Sequence, residues 1–173
     1  MRAVRERFWR VSLLASAALA SLVFACAAPL AAIATAAALT MRRRDAVATT
    51  AGAWAIAQAL GFGVHHYPHT IGSFADGASL GIGASFAACV ASLVPLGVSR
   101  GSRVRAGLAA FGLAFGAFEI ALLPAAAAFG ELGAFRLPIV LRVFTNEALW
   151  AIAFVLARNV VFARAAQRRE VRT

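Results

Sequence analysis

The sequence contains no lysine, and its 17 arginines face only seven acidic residues, leaving a formal net charge of +10. Charge of either sign is scarce, at 14% of the chain, against about 25% in an ordinary globular domain. It is missing altogether from Val11 to Met41, between Asp45 and Asp76, and from Gly77 to Ser99. Such gaps exclude a soluble domain with a charged surface. Cysteine is also rare. Cys26 and Cys89 each lie inside an apolar run, neither belongs to a CxxC pair, and both read as small hydrophobes rather than as a disulfide or a zinc site. Walker, Rossmann and zinc-finger patterns are absent, as is HExxH.

What remains is apolar: 62% of the residues are hydrophobic, and the mean hydropathy is +0.80. A charge-free run of about 18 or more apolar residues has the length of a membrane-spanning helix. The alternation over about ten residues that marks a transmembrane barrel strand is missing. The expected fold is therefore all-α, a polytopic transmembrane helical bundle of about five spans forming a single domain over residues 1–173. The spans are placed at 11–40, 46–64, 74–98, 104–129 and 137–162. The first is overlong, roughly 45 Å against a hydrocarbon core of ~30 Å, and Pro29 offers it a kink or a hairpin.

The arginines gather at the head (Arg2, Arg5, Arg7, Arg10), in two short loops and in the tail, while the aromatics sit in the apolar runs. That separation argues against nucleic acid, whose phosphates call for a continuous basic face. It suits anionic headgroups instead, so the lipid bilayer is the expected partner, alongside other membrane proteins or further copies of the chain. Arginine-rich loops stay cytoplasmic. This places residues 41–45, residues 99–105 and the C-terminus inside, in what the arginine- and alanine-rich usage suggests is a bacterial inner membrane. Five spans would then put the basic head outside, against its own arginines, unless residues 11–40 bend back around Pro29 or the head tolerates translocation; a hairpin of two full spans, at about twenty residues each, does not fit in that segment. Residues 1–28 also have the layout of a signal peptide, with small residues around Ala25-Cys26-Ala27-Ala28.

Two places carry polar groups suited to chemistry. His65, His66 and His69 fall within five residues, and Asp76 follows seven positions on. Clustered imidazoles with a carboxylate fit a divalent metal as cofactor. Pro68, however, denies His65 and His69 the helical spacing of a zinc hydrolase, and the bland alternative is a polar cap at headgroup level with Tyr67. The second place lies inside the spans. Glu119 sits near the middle of the fourth, where a carboxylate costs about 2.5–3.5 kcal/mol and has to face the interior. Arg142 is its expected partner, with Thr145 and Asn146 on the same face of the fifth span and Glu147 about 100° away. An ion pair and a proton path both fit these residues. Gly83-Ala84-Ser85 lacks a histidine on another span to serve as base, so a serine nucleophile is rejected. Gly77-x-x-x-Gly81, Gly81-x-x-x-Ser85 and Gly112-x-x-x-Gly116 are spacings that let helices approach closely. With no complete catalytic constellation, the expected role is a permease-like unit or an accessory subunit of a membrane complex. The alternative is a metal-handling protein or metal-dependent membrane enzyme using the histidine turn.

Overall fold

The computed structural model describes residues 2–23, 28–95 and 100–170, with side chains over 6–23, 28–95 and 101–159. Among these there is no strand, and six helices follow one another: α1 (Arg2–Val23), α2 (Leu30–Ala38), α3 (Arg43–Gly63), α4 (Ile71–Ala91), α5 (Arg100–Phe129) and α6 (Leu137–Glu170). Three stretches are long and apolar enough to cross a membrane: Ile71–Ala91, Gly101–Phe129 and Leu137–Asn159. The count of five spans is thus not confirmed. α3 has the length, but Arg43, Arg44, Asp45, Thr49, Thr50 and Gln58 dilute its apolar character. The first expected span is two helices rather than one.

Pro29 causes that division. Its φ of −78° suits the proline ring, and it stands as the N-cap of α2 instead of kinking a continuous helix. The chain then turns back. The Trp9 indole N–H donates to the Thr40 hydroxyl at 3.1 Å, and Arg10 meets Asp45 at 3.0 Å. The start of α1 therefore lies beside the end of α2. At the opposite end His65 Nε2 is 2.7 Å from the Ser21 carbonyl, so α1 and α3 lie side by side and run in the same direction. This hairpin fits because α1 begins at Arg2 instead of Val11, and because the returning arm is only nine residues, roughly 13 Å long. It places Arg10 at the same end of the bundle as Arg42 to Arg44. Residues 24–27, including Cys26 and the small residues of the signal-like segment, lie outside the described residues.

A nine-residue helix has little stability alone, so packing must hold α2. Seven of its residues are buried, and it touches α3, α4, α5 and α6. Its sequence, Leu-Ala-Ala-Ile-Ala-Thr-Ala-Ala-Ala, explains how: alanines let four neighbours close in where lipid supplies no hydrophobic drive for association. Leu13 and Ile33 are among the largest fully buried side chains, joined by Ala84, Ala88, Ala110 and Ala114 from α4 and α5. The buried threonine hydroxyls of α2 and α3 are satisfied within their own helices, Thr35 on the Ala31 carbonyl and Thr50 on that of Ala46, while the buried Ser21 hydroxyl of α1 has no partner among the described residues.

The glycine spacings divide in use. Gly81 packs flat against the Trp54 ring, whose N–H donates to the Gly77 carbonyl at 2.7 Å, and Gly77 itself lies against the Gln58 amide. Gly83 meets Phe118 of α5. Gly112 and Gly116, by contrast, face open space, so that spacing makes no close contact within the chain. Helix boundaries also move from their expected places. α4 begins at Ile71, not Phe74, because the Thr70 side chain accepts the Ser73 N–H as an N-cap. α6 continues to Glu170, beyond the expected end of its span at 162.

Candidate functional site

A short helix that begins inside a bundle leaves its first N–H groups without intrahelical partners, and these carry the positive end of the helix dipole. In α2 the groups are met by Glu147 of α6. Its carboxylate accepts the Ala32 N–H at 2.7 Å and that of Ala31 as well, and the residue is only 4% exposed. Glu147 lies ten residues past Leu137, one short of the midpoint of the Leu137–Asn159 span. The N-terminus of α2 therefore opens at about mid-depth of the bundle. Broken helices in transporters present the same end to anionic groups near the membrane midplane. Here the group at that end is the protein's own carboxyl side chain.

Glu119 of α5 is half-buried and close enough to Glu147 for the two carboxylates to interact electrostatically. The expected pairing of Glu119 with Arg142 is not formed. Arg142, Thr145 and Asn146 are exposed, on the face of α6 turned away from Glu147. The inward residue of that helix is the one that sequence spacing set apart from the polar stripe. The reason lies in α2: its uncapped N–H groups attract a carboxylate and repel a guanidinium, so α6 is rotated to bring Glu147 to them.

A narrow cleft of about 40 Å³ lies along α2 and α6, lined by Trp9, Ala36, Leu39, Thr40, Phe154, Val155, Arg158 and Asn159. That volume suits a single water. It lies toward the end of the bundle that carries Arg10 and Asp45, from which Glu147 is about two helical turns deeper. The second opening is a shallow groove along Arg42, Arg43, Arg44, Val47 and Ala48 at the start of α3.

The histidine turn is built differently from a metal centre. His65 is held on the Ser21 carbonyl. His66 is exposed, with a left-handed φ of 55°. The His69 ring packs against Phe62 and Phe74, and Tyr67 covers Gly61. Asp76 lies on the second turn of α4. Among the described residues no three His, Cys, Asp or Glu side chains come together to hold a metal ion, so His65, His66, His69 and Asp76 do not form the expected site. The bonds that shape this turn tie α1, α3 and α4 together instead.

No known family model matches the chain, and neither a characterised protein nor a solved structure is similar to it.

Proposed function

We propose that this chain is a multi-pass protein of a bacterial inner membrane, acting as a permease-like unit or accessory subunit of a membrane complex, with Glu147 and Glu119 as its proton-handling centre. One observation carries the proposal: a carboxylate held at mid-depth by the free N–H groups of a broken helix, with a second carboxylate in electrostatic range. Ionised carboxylates in the membrane interior are expensive and are retained where they face a pathway or a partner. The α2 N-terminus offsets one negative charge on Glu147. A proton on either residue would relieve the repulsion between them, which makes the pair a natural place to bind and release one. The small cleft whose lining includes Thr40, Arg158 and Asn159 lies about two helical turns from this centre, toward the Arg10 end.

The same reading places the head, residues 41–45, residues 99–105 and the C-terminus on the cytoplasmic face. The α1–α2 hairpin supports this, since it removes the conflict between the basic head and the arginine loops. Metal handling at the histidine turn gains no support from its geometry.

Infrared difference spectroscopy on the protein in lipid vesicles, stepped across pH, tests the proposal. A carboxyl C=O stretching band should appear on acidification, disappear in Glu147→Gln and shift in Glu119→Gln. A spectrum identical in wild type and both variants would reject proton handling by this pair.

A further inference from the structure

Arg42, Arg43 and Arg44 are consecutive and exposed, and their side chains make no ion pair or hydrogen bond among the described residues. Together with Val47 and Ala48 they line the groove at the start of α3. Asp45, the next residue, does not line it, because its carboxylate is held at 3.0 Å by Arg10 of α1. That pair neutralises itself, so the groove keeps the charge of all three arginines. Its volume is about 680 Å³, against about 40 Å³ for the cleft along α2 and α6. The groove thus has room for an organic headgroup, where the cleft suits a water.

The apolar part of the lining continues down the helix. Residues 43, 44, 47 and 48 lie within ~140° of one another on α3, on the side turned away from the buried Ala46, Thr49, Thr50 and Ala53. Ala51, Ala55 and Ala59 extend that side, the first half-buried and the other two exposed. From Ala48 to Ala59 the rise is about 16 Å, close to half of a ~30 Å hydrocarbon core and so to the depth of one leaflet.

We propose that this groove binds one doubly charged phospholipid of the cardiolipin class. Its two phosphates lie on Arg42, Arg43 and Arg44, and an acyl chain runs along Val47, Ala48 and the alanines below. Charge complementarity selects the occupant. Guanidinium groups donate paired N–H bonds that match phosphate oxygens. A zwitterionic lipid offsets none of the three charges and a lipid with one phosphodiester offsets one. Two phosphates joined through a single glycerol offset two charges at one place. A free phosphate makes no use of the apolar wall. The site rests on the membrane reading of the chain and takes nothing from the Glu147–Glu119 pair, so proton handling can fail while the lipid site stands.

The test uses the full chain, purified in detergent and stripped of co-purifying lipid. It is titrated with tetraoleoyl cardiolipin, dioleoyl phosphatidylglycerol or dioleoyl phosphatidylethanolamine, and bound lipid is counted by native mass spectrometry. One cardiolipin per chain should bind ahead of the other two lipids. Arg42→Gln, Arg43→Gln and Arg44→Gln should each weaken it about fivefold, the effect of one arginine at an anionic surface. Removing the same charge from the tail, with Arg164→Gln, Arg168→Gln and Arg169→Gln combined, should leave binding nearly unchanged. Ala48→Trp fills the groove without altering charge and should also weaken cardiolipin. Inorganic phosphate at matched ionic strength should not displace it. Monodisperse elution and unchanged helical circular dichroism establish that each variant is folded, and recovery of the wild-type chain in carbonate-washed membranes checks the membrane reading by itself. Absence of cardiolipin binding, equal binding of phosphatidylglycerol, equal loss in the tail variant, indifference to the groove arginines or to Ala48→Trp, or displacement by phosphate would each overturn the proposal.

Discussion

The carboxylate of Glu147 accepts the backbone N–H of Ala32 at 2.7 Å, joining residues 115 positions apart and closing α6 onto the open end of α2. A side chain near the midpoint of one apolar span thus serves as the N-terminal cap of another helix. The arrangement lets a nine-residue helix begin inside an apolar bundle, and it gives a buried carboxylate partners that no arginine supplies.

Glu147→Ala would leave the Ala31 and Ala32 N–H groups buried without an acceptor, a loss of about 1–3 kcal/mol. Glu147→Gln keeps an oxygen in the same place and should lose less. Thermal unfolding in a lipid nanodisc is therefore expected to rank wild type above Gln and Gln above Ala. Equal stability of all three would mean that Glu147 does not hold α2.

Gly81 and Gly112 should respond oppositely to alanine. A Cβ on Gly81 would sit 2.6 Å from the Trp54 ring, which is fixed by its bond to the Gly77 carbonyl. Overpacking of this kind costs about 1–3 kcal/mol. Gly112 meets nothing, so Gly112→Ala should be neutral or gain up to about 1 kcal/mol of helix propensity within the monomer. Melting temperatures of the two variants in the same detergent check the contrast.

The hairpin fixes which residues share a side. In a chain lacking Cys26 and Cys89, Arg10→Cys and Arg43→Cys should react with an impermeant maleimide from one face of sealed vesicles, and Tyr67→Cys from the other. Labelling of positions 10 and 43 from opposite faces would contradict the return of α2.

At the histidine turn the expected effects are structural. His66 pays for a left-handed backbone, so His66→Gly should be neutral or stabilising by up to about 1 kcal/mol. His65→Ala should destabilise by removing the bond to Ser21. Adding zinc to the purified protein should leave its melting temperature unchanged. A rise that disappears in the His65, His66 and His69 triple alanine variant would restore the metal reading.

Helical character was legible because it depends on local composition. Long apolar runs in lipid must satisfy their backbone internally, and α4, α5 and α6 appear close to where their runs predict them. Helix starts were less legible: Thr70 caps α4 ahead of the expected Phe74, and Pro29 opens a separate helix instead of kinking a continuous one. The orientation of each helix about its axis was less accessible. In an alanine-rich span every face looks alike, and the polar stripe of Arg142, Thr145 and Asn146 predicts that face to be the inward one. It lies outward, because the decisive attraction comes from α2, more than a hundred residues earlier in the chain.

The sequence by itself determined that this protein is helical and built on long charge-free apolar runs, with Pro29 as a point of bending in the first; its count of about five spans was not confirmed, since three helices among the described residues are long and apolar enough to cross a membrane. Those properties follow from hydropathy and backbone chemistry within a few turns of chain. Only the tertiary structure decided that the segment returns beside its own start, that Glu147 rather than Arg142 meets the interior, and that Glu119 comes within electrostatic reach of Glu147. Each of these depends on which polar group in one helix is met by a side chain of another, a long-range match that no local pattern records.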